Sequence, residues 1–364
     1  MLNINSNNNF NIINIHTLEL SYYNITEQEH KKLIKILKKQ KEDKETAYYS
    51  GYSSIWGIRY KYIIINKYDF HIRVLKAIIN PSQFLSKETL IRDDYIEFVK
   101  KYYIEISKEL SKGTLSTEKF TRIDYFLDVQ LEEKIRKTLL KIYNKAPASF
   151  NRLEKKNKYK TSVYYNNKSK CINIYSRYNK IVDIMLKDNF NNIENVDIES
   201  EIDPFLNEEI KNTLRFEVQL KRRKIKYYLK QDGTITDLFN YWNARDAEYF
   251  LNDILKPLIY KGDYYNAYHA KKKLQEVYKE NLTNKLMEFQ NYLSKHGFTK
   301  AKEKYKNYKQ LIKYMTDINI NPYLIPNNEK IKYIKNPIGF LDKATDAYRL
   351  EDNNFMGVLC GNNI

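Results

Sequence analysis

Three segments of this 364-residue chain alternate between apolar and polar side chains, and that period of two constrains the fold more than anything else in the sequence. In "TRIDYFLDV", Ile123, Tyr125, Leu127 and Val129 share one face; Arg122, Asp124 and Asp128 share the other, with Phe126 among them. In "LRFEVQLK", Leu214, Phe216, Val218 and Leu220 alternate with Arg215, Glu217, Gln219 and Lys221. In "INIYSR", Ile172, Ile174 and Ser176 alternate with Asn173, Tyr175 and Arg177. Each segment reads as a strand with a core side and a polar side. If the three are neighbours in one sheet, the Arg-x-Asp, Arg-x-Glu and Tyr-x-Arg pairs give its open face two facing carboxylates, three arginines and a tyrosine, with Asp128 beside them.

The rest of the chain supplies partners for these strands. "NIINIHTLELSYYN" predicts a first strand over about 11–22. "ITEQEHKKLIKILKKQKEDKE" predicts a helix, with Thr26 as cap and Glu29 completing a capping box. "IWGIRYKYIIINKYDFHIRVLKAII" predicts two strands joined near Asn66 and Lys67. "RDDYIEFVKKYYIEISKELSKG" predicts a helix stopping at Gly113. A helix follows in "LEEKIRKTLLKIYNK", then a hairpin turning at Asn166–Ser169, a polar insert "DNFNNIENVDIESEIDP", and the strand "NTLRFEVQL", which runs into the basic segment "KRRKIK". Residues 240–315 carry helical spacing, with a turn at His296-Gly297 compatible with a helix-turn-helix. The expected fold is α+β: a mostly antiparallel sheet with helices on one face over residues 1–230, a helical region over 231–325 that binds DNA or oligomerises, and an irregular tail over 326–364.

Composition bears on the partner. The net charge is +18, with 63 basic residues against 45 acidic ones, which favours a polyanion, nucleic acid first and an anionic membrane surface second. Lys, Asn, Ile and Tyr have A/T-rich codons, so codon bias accounts for part of the basic surplus and most of the 34 tyrosines. Two distant cysteines, Cys171 and Cys360, make neither a CxxC pair nor a zinc spacing, and the simplest setting is reducing and intracellular. No apolar run approaches the ~20 residues of a membrane span. The Asn-rich start does not read as a signal peptide.

Carboxylates facing each other across a sheet repel unless something positive lies between them. A divalent cation with oxygen ligands, Mg²⁺ or Mn²⁺, is one solution. Neutralisation by the arginines is the other, and gives a salt-bridged, solvated sheet face with no chemistry. With a cation, the face suits phosphodiester chemistry: a tyrosine forms a covalent phosphotyrosine, the cation draws off charge and arginines clamp non-bridging oxygens. The phenol, with an ordinary pKa of about 10, needs help at neutral pH.

At "FTRIDYFLD", "TSVYYNNKSKCINIYSR" and "LRFEVQLKRRKIKYYLK", preceded by "RVLKAIINPSQFL", the sequence resembles the gene II-type replication initiators of filamentous phages, site-specific nickases related to plasmid initiators. The resemblance runs from about residue 58 to 240. It implies that Tyr175 is the nucleophile, with Arg177 standing where the family has lysine and Lys180 as a second basic candidate. It implies a cation held by Asp124 and Glu217. The family's glutamate in the strand before Pro-x-x-x-Leu has no counterpart in "FHIRVLK"; His71 or no third protein ligand is the expectation there. Arg122, Arg215, Lys221, Arg222 and Arg223 would contact nucleic acid. Tyr178 and Tyr165 remain rival nucleophiles. The implied activity is nicking at a double-stranded origin, rolling-circle replication of a phage or plasmid, and rejoining of the displaced single strand. Host helicase and polymerase would be partners, with possible homo-oligomers on DNA in the bacterial cytoplasm. The His-hydrophobe-His motif of the better-known nickases is absent, since the five histidines are isolated. The rival function class is a non-catalytic DNA-binding protein, a repressor or partition factor.

Overall fold

The alternating segments are strands, and they are neighbours. The computed structural model describes residues 12–341 apart from 54, 68–69, 88–89, 92, 146–153, 156–160, 183–207, 243 and 340. Its strands are β1 (Ile12–Tyr22), β2 (Lys38–Glu42), β3 (Thr46–Tyr52), β4 (Ile58–Lys67), β5 (Phe70–Ile79), β6 (Lys119–Gln130), β7 (Glu154–Lys155), β8 (Ser162–Asn166), β9 (Lys170–Ser176) and β10 (Thr213–Lys221). These ten form one sheet in the order β2-β3-β4-β5-β1-β6-β10-β9-β8-β7, and every neighbouring pair is antiparallel. The expected α+β architecture is therefore present, with a helical C-terminal region.

The core side of the sheet follows from the alternation. Ile123, Tyr125 and Leu127 of β6 and Phe216, Val218 and Leu220 of β10 are fully buried. Each such side chain contributes roughly 1.5–3 kcal/mol relative to exposure. Helix Ala244–Ile259 packs against β1, β6 and β10, and helix Glu133–Tyr143 against β8 and β9. Tyr125 donates to the Tyr241 carbonyl (2.7 Å), and Tyr22 shares a 2.7 Å hydroxyl contact with Tyr102 of helix Asp94–Ile106, so phenols tie the helices to the sheet. The C-terminal helices Glu280–His296 and Phe298–Lys304 are divided at Gly297, whose φ of +81° favours glycine.

Several local expectations are corrected. The first helix spans only Glu27–Ile36; its capping box at Thr26 and Glu29 is present, but Leu37 is extended and "KKQKE" forms edge strand β2. Its lysines are good helix formers, yet charge on a sheet edge also discourages edge-to-edge pairing. Gly113 does not stop a long helix: helix Asp94–Ile106 ends earlier and Gly113 lies inside the short helix Lys112–Leu115. The basic run leaves the sheet at Lys221 and becomes helix Arg222–Leu229, anchored by buried Ile225. The polar insert lies outside the described residues, as do Cys360 and most of the tail. Cys171 is a buried free thiol. No described helix is long and apolar enough to cross a membrane.

Candidate active site

The open face of β6, β10 and β9 gathers the polar residues in register. Arg215 of β10 lies between Asp128 of β6 and Tyr175 of β9; one step along, Glu217 lies between Phe126 and Asn173; the next step pairs Gln219 with Asp124, and the last pairs Lys221 with Arg122. The rows run from a tyrosine end, through two carboxylates, to a basic end.

At the tyrosine end, the Tyr175 hydroxyl donates to Glu217 Oε2 at 3.0 Å. Tyr175 is only 4% exposed, and burial pushes its phenol well above the ordinary range, with the Glu217 charge adding to the rise. Strand β9 ends at Ser176 and a helix begins at once, over 177–182 among the described residues. That helix brings the Lys180 ammonium over the Tyr175 ring, 3.9 Å from its centroid, and within 3.8 Å of Glu217 Oε2. Burial lowers the Lys180 pKa while the Glu217 charge opposes the fall. Arg177 and Arg215 both close on Asp128, at 3.1 Å and, for the two Arg215 contacts, 2.6 Å; the Arg215 guanidinium also stacks on Phe126 at 4.0 Å. Asp128 is nearly inaccessible, so these arginines are fixed side chains.

The centre holds a histidine that the strand patterns did not bring out. His16 of β1 approaches Glu217 Oε1 through its Nδ1 (3.8 Å), and His16, Asp124 and Glu217 each offer a ligand atom within 4.8 Å of the others. Its position comes from a bulge: Ile15 pairs with Tyr125 and Thr17 with the adjacent Asp124, leaving His16 as the extra residue. The sequence carried the signal. In "NIINIHTLEL", Ile13 and Ile15 hold the core phase, and Leu18 and Leu20 resume it one residue late. His71, the expected third ligand, lies elsewhere: it is exposed on β5, pairs with Asn66 and accepts from Arg73. That expectation followed the family's position rather than the register of this chain.

The electrostatics of the centre differ from group to group. Asp124 has no solvent exposure; burial pushes its carboxyl up to about 6, against the pull of Arg122, which grips both of its oxygens, and with a further push from Glu217. Glu217 stays below the usual carboxylate range: burial raises it, and His16, Lys180 and the Tyr175 hydroxyl outweigh that. His16 is lowered by burial, with the Glu217 charge opposing the fall. The two carboxylates suit Mn²⁺ or Mg²⁺, and the imidazole widens the choice to ions such as Zn²⁺ or Fe²⁺. The spread of up to 4.8 Å is slightly wider than the ~4.2 Å between opposite ligands at bonds near 2.1 Å, so the donors fit with a small inward movement.

The basic end opens into a groove of about 660 Å³ lined by Lys76, Arg122, Lys168, Lys221, Arg222 and Arg223, with Glu19 and Asp232 among its acidic residues. Four of the five expected nucleic-acid contacts thus share one surface; Arg215 does not, being held on Asp128. The rival tyrosines part company. Tyr165 faces the core and donates to the Tyr143 carbonyl (3.0 Å), while Tyr178 lies in the helix over 177–182, beyond the strand. Compared with known proteins, the chain matches no family model, no curated protein and no solved structure.

Proposed function

We propose that the protein is a nucleic-acid nickase that uses Tyr175 as nucleophile, acting as a replication initiator at a double-stranded origin. One observation carries the reading: the Tyr175 hydroxyl donates to Glu217 Oε2 while Oε1 lies 3.8 Å from His16 Nδ1 in the His16, Asp124 and Glu217 group, so a nucleophile and a candidate cation site share one carboxylate. A solvated, salt-bridged face has no need of a buried phenol bonded to a partly buried carboxylate. Arg122 neutralises Asp124 and Arg215 neutralises Asp128, which leaves Glu217 with only the more distant Lys180 and His16.

In the proposed step, Tyr175 Oη attacks the phosphorus and its proton passes to Glu217 Oε2. The P–O3′ bond breaks, and O3′ takes up a proton from solvent, to which Glu217 releases its own, and leaves as a free 3′-OH. The protein keeps a 5′-phosphotyrosine link, and attack on it by a 3′-OH reseals the strand with the proton movements reversed. Lys180, above the phenol ring, stabilises the negative charge that develops on Oη. Arg215 and Arg177 hold the nucleophile's end of the sheet in place through Asp128. When bound by His16, Asp124 and Glu217, Mg²⁺ or Mn²⁺ would neutralise phosphoryl charge.

The test uses supercoiled plasmids carrying candidate origins, in Mg²⁺ and in Mn²⁺. Wild type should convert the cognate plasmid to nicked circles with protein on the 5′ end, and Tyr175→Phe should abolish both products. Nicking by the Phe variant would remove Tyr175 from the mechanism. Nicking without attached protein would make this a metal-dependent nuclease, and no nicking at all would leave a non-catalytic DNA-binding protein.

A further inference from the structure

The same open face continues past the site into the other half of the sheet, where its character changes. Register partners line up without a break: Tyr52 of β3 with Arg59 of β4, Arg59 with Ile78 of β5, Ile78 with Glu19 of β1, Glu19 with Arg122 of β6, and Arg122 with Lys221 of β10. A parallel row joins Ser50, Lys61, Lys76 and Ser21. The core side of these strands is occupied by Tyr60, Tyr62, Leu75 and Ala77, so their alternates Arg59, Lys61 and Lys76 lie on the open side. At a strand spacing of ~4.8 Å, the row from Arg59 to Lys221 crosses about 19 Å of sheet.

Three observations give this surface a chemistry. Its cations crowd one another: burial lowers the Lys61 pKa, and Arg59, Arg122 and Lys76 lower it further. Lys76 is paired with Glu19 (2.7 Å), but neither Arg59 nor Lys61 has an ion-pair partner among the described residues. Aromatic rings stand at the outer end: Tyr52 is 80% exposed, Tyr48 is 40% exposed, and Trp56, in the β3–β4 connection, is 75% exposed. Exposed rings beside cations without an ion pair, on the open face of an antiparallel sheet, fit unpaired bases stacking next to a phosphate backbone. A duplex, with its bases stacked inside, would leave the rings without a partner.

We infer that the open face of β3, β4 and β5 is a binding platform for single-stranded nucleic acid, with bases on Tyr52 and Trp56 and phosphates on Arg59, Lys61 and Lys76. That the strand continues along the row to Arg122 and the carboxylate site rests on the nickase reading; the platform itself does not. The arrangement gives the displaced strand a place to lie while its end is worked on.

Tryptophan fluorescence tests the platform alone. The chain has two tryptophans, and Trp242 is fully buried, so quenching by a bound base reports Trp56. Oligothymidylate of about twelve residues should quench saturably in buffer without divalent cation, where no cleavage enters. In Arg59→Ala/Lys61→Ala, affinity should fall about tenfold or more, and the slope of log affinity against log salt should lessen by about 1.4, from ~0.7 per phosphate contact removed. Duplex of the same length should quench less. Absence of saturable quenching, or a double variant that binds as wild type does, overturns the platform. Phosphatidylserine vesicles are the control: a blue shift with vesicles and no response to the oligonucleotide would mark a membrane surface instead. A protein that quenches but never nicks keeps the platform and loses the nickase reading, and the converse separates them equally well.

Discussion

The two halves of the open sheet face are built from the same alternation and treat charge in opposite ways. Around β6, β10 and β9 the charges are buried or partly buried and clamped: Asp124 by Arg122, Asp128 by Arg215 and Arg177, Glu217 by the Tyr175 hydroxyl. Across β3, β4 and β5, Arg59 and Lys61 lie on the open side beside exposed rings, with no ion pair among the described residues. A clamped charge is part of the fold, holds its geometry and costs stability when its partner goes. A free charge contributes little to folding and keeps its interaction for a ligand. Function therefore divides along the sheet into a rigid site and an adaptable surface, and mutation should separate the two.

The largest effect should come from Asp128→Ala. It leaves Arg215, 10% exposed, and Arg177, 31% exposed, without their carboxylate, and breaking a buried pair costs about 3–5 kcal/mol. Urea unfolding measures this directly. A loss below about 1 kcal/mol would show that the clamp is solvated and would erase the contrast with the platform.

Asp124 supplies a second break point, through pH. Its folded pKa, pushed up to about 6, lies above the unfolded value of about 3.9, so protonation favours the folded state. This stabilisation is fully present below about pH 4 and is lost as pH rises through 6, by about 3 kcal/mol for a shift of that size. The difference in stability between wild type and Asp124→Asn, measured without divalent cation, should track that window. A flat difference would mean that Arg122 already satisfies the carboxylate.

A cation should reverse that cost. Mn²⁺ at a hundredfold excess over its dissociation constant stabilises the folded protein by about 2.7 kcal/mol. His16→Ala should weaken Mn²⁺ affinity by about tenfold or more, since loss of even a residue that only supports a ligand costs 10–100-fold, and at the same Mn²⁺ concentration the stabilisation should drop to about 1.4 kcal/mol or less. His71→Ala should leave it unchanged. Equal stabilisation of wild type and His16→Ala would remove His16 from the site.

The sequence exposed the clamped half better than the platform, for physical reasons. Long strands with strict alternation, such as "TRIDYFLDV" and "LRFEVQLK", announce their faces and put Tyr175, Asp124 and Glu217 on the polar side, while the family resemblance singled them out from the other residues there. His16 was hidden because a bulge breaks the phase, although the late return of Leu18 and Leu20 marks where. Lys180 was expected, but not the helix starting directly after Ser176 that carries it over Tyr175. Asp128 was assigned to the polar face without its role, because two arginines converging from β10 and from beyond β9 are set by strand order, which no single segment encodes. On the platform side, "KKQKEDKETAYYSGY" has helix-forming lysines and glutamates that extend the first helix on paper, whereas the chain turns back as hairpin β2–β3. Edge strands stabilised by pairing rather than by burial leave little apolar pattern to read.

The smallest expected effect is the most exposed test of the comparison. Lys61→Ala removes a cation whose neighbours Arg59, Arg122 and Lys76 repel it and whose carboxylate neighbour, Glu19, is already paired with Lys76. Exposed substitutions of this kind shift stability by about 0.5 kcal/mol or less. Here the sign should be stabilising or zero, because like-charge repulsion is relieved. Salt screens the same repulsion over a Debye length of about 8 Å at physiological strength, so added NaCl should stabilise wild type more than the variant. A clear loss of stability in Lys61→Ala, insensitive to salt, would mean that Lys61 is held by the fold as Arg215 is. The two halves of the face would then not differ in kind, and the free charge that the platform offers to a phosphate would not exist.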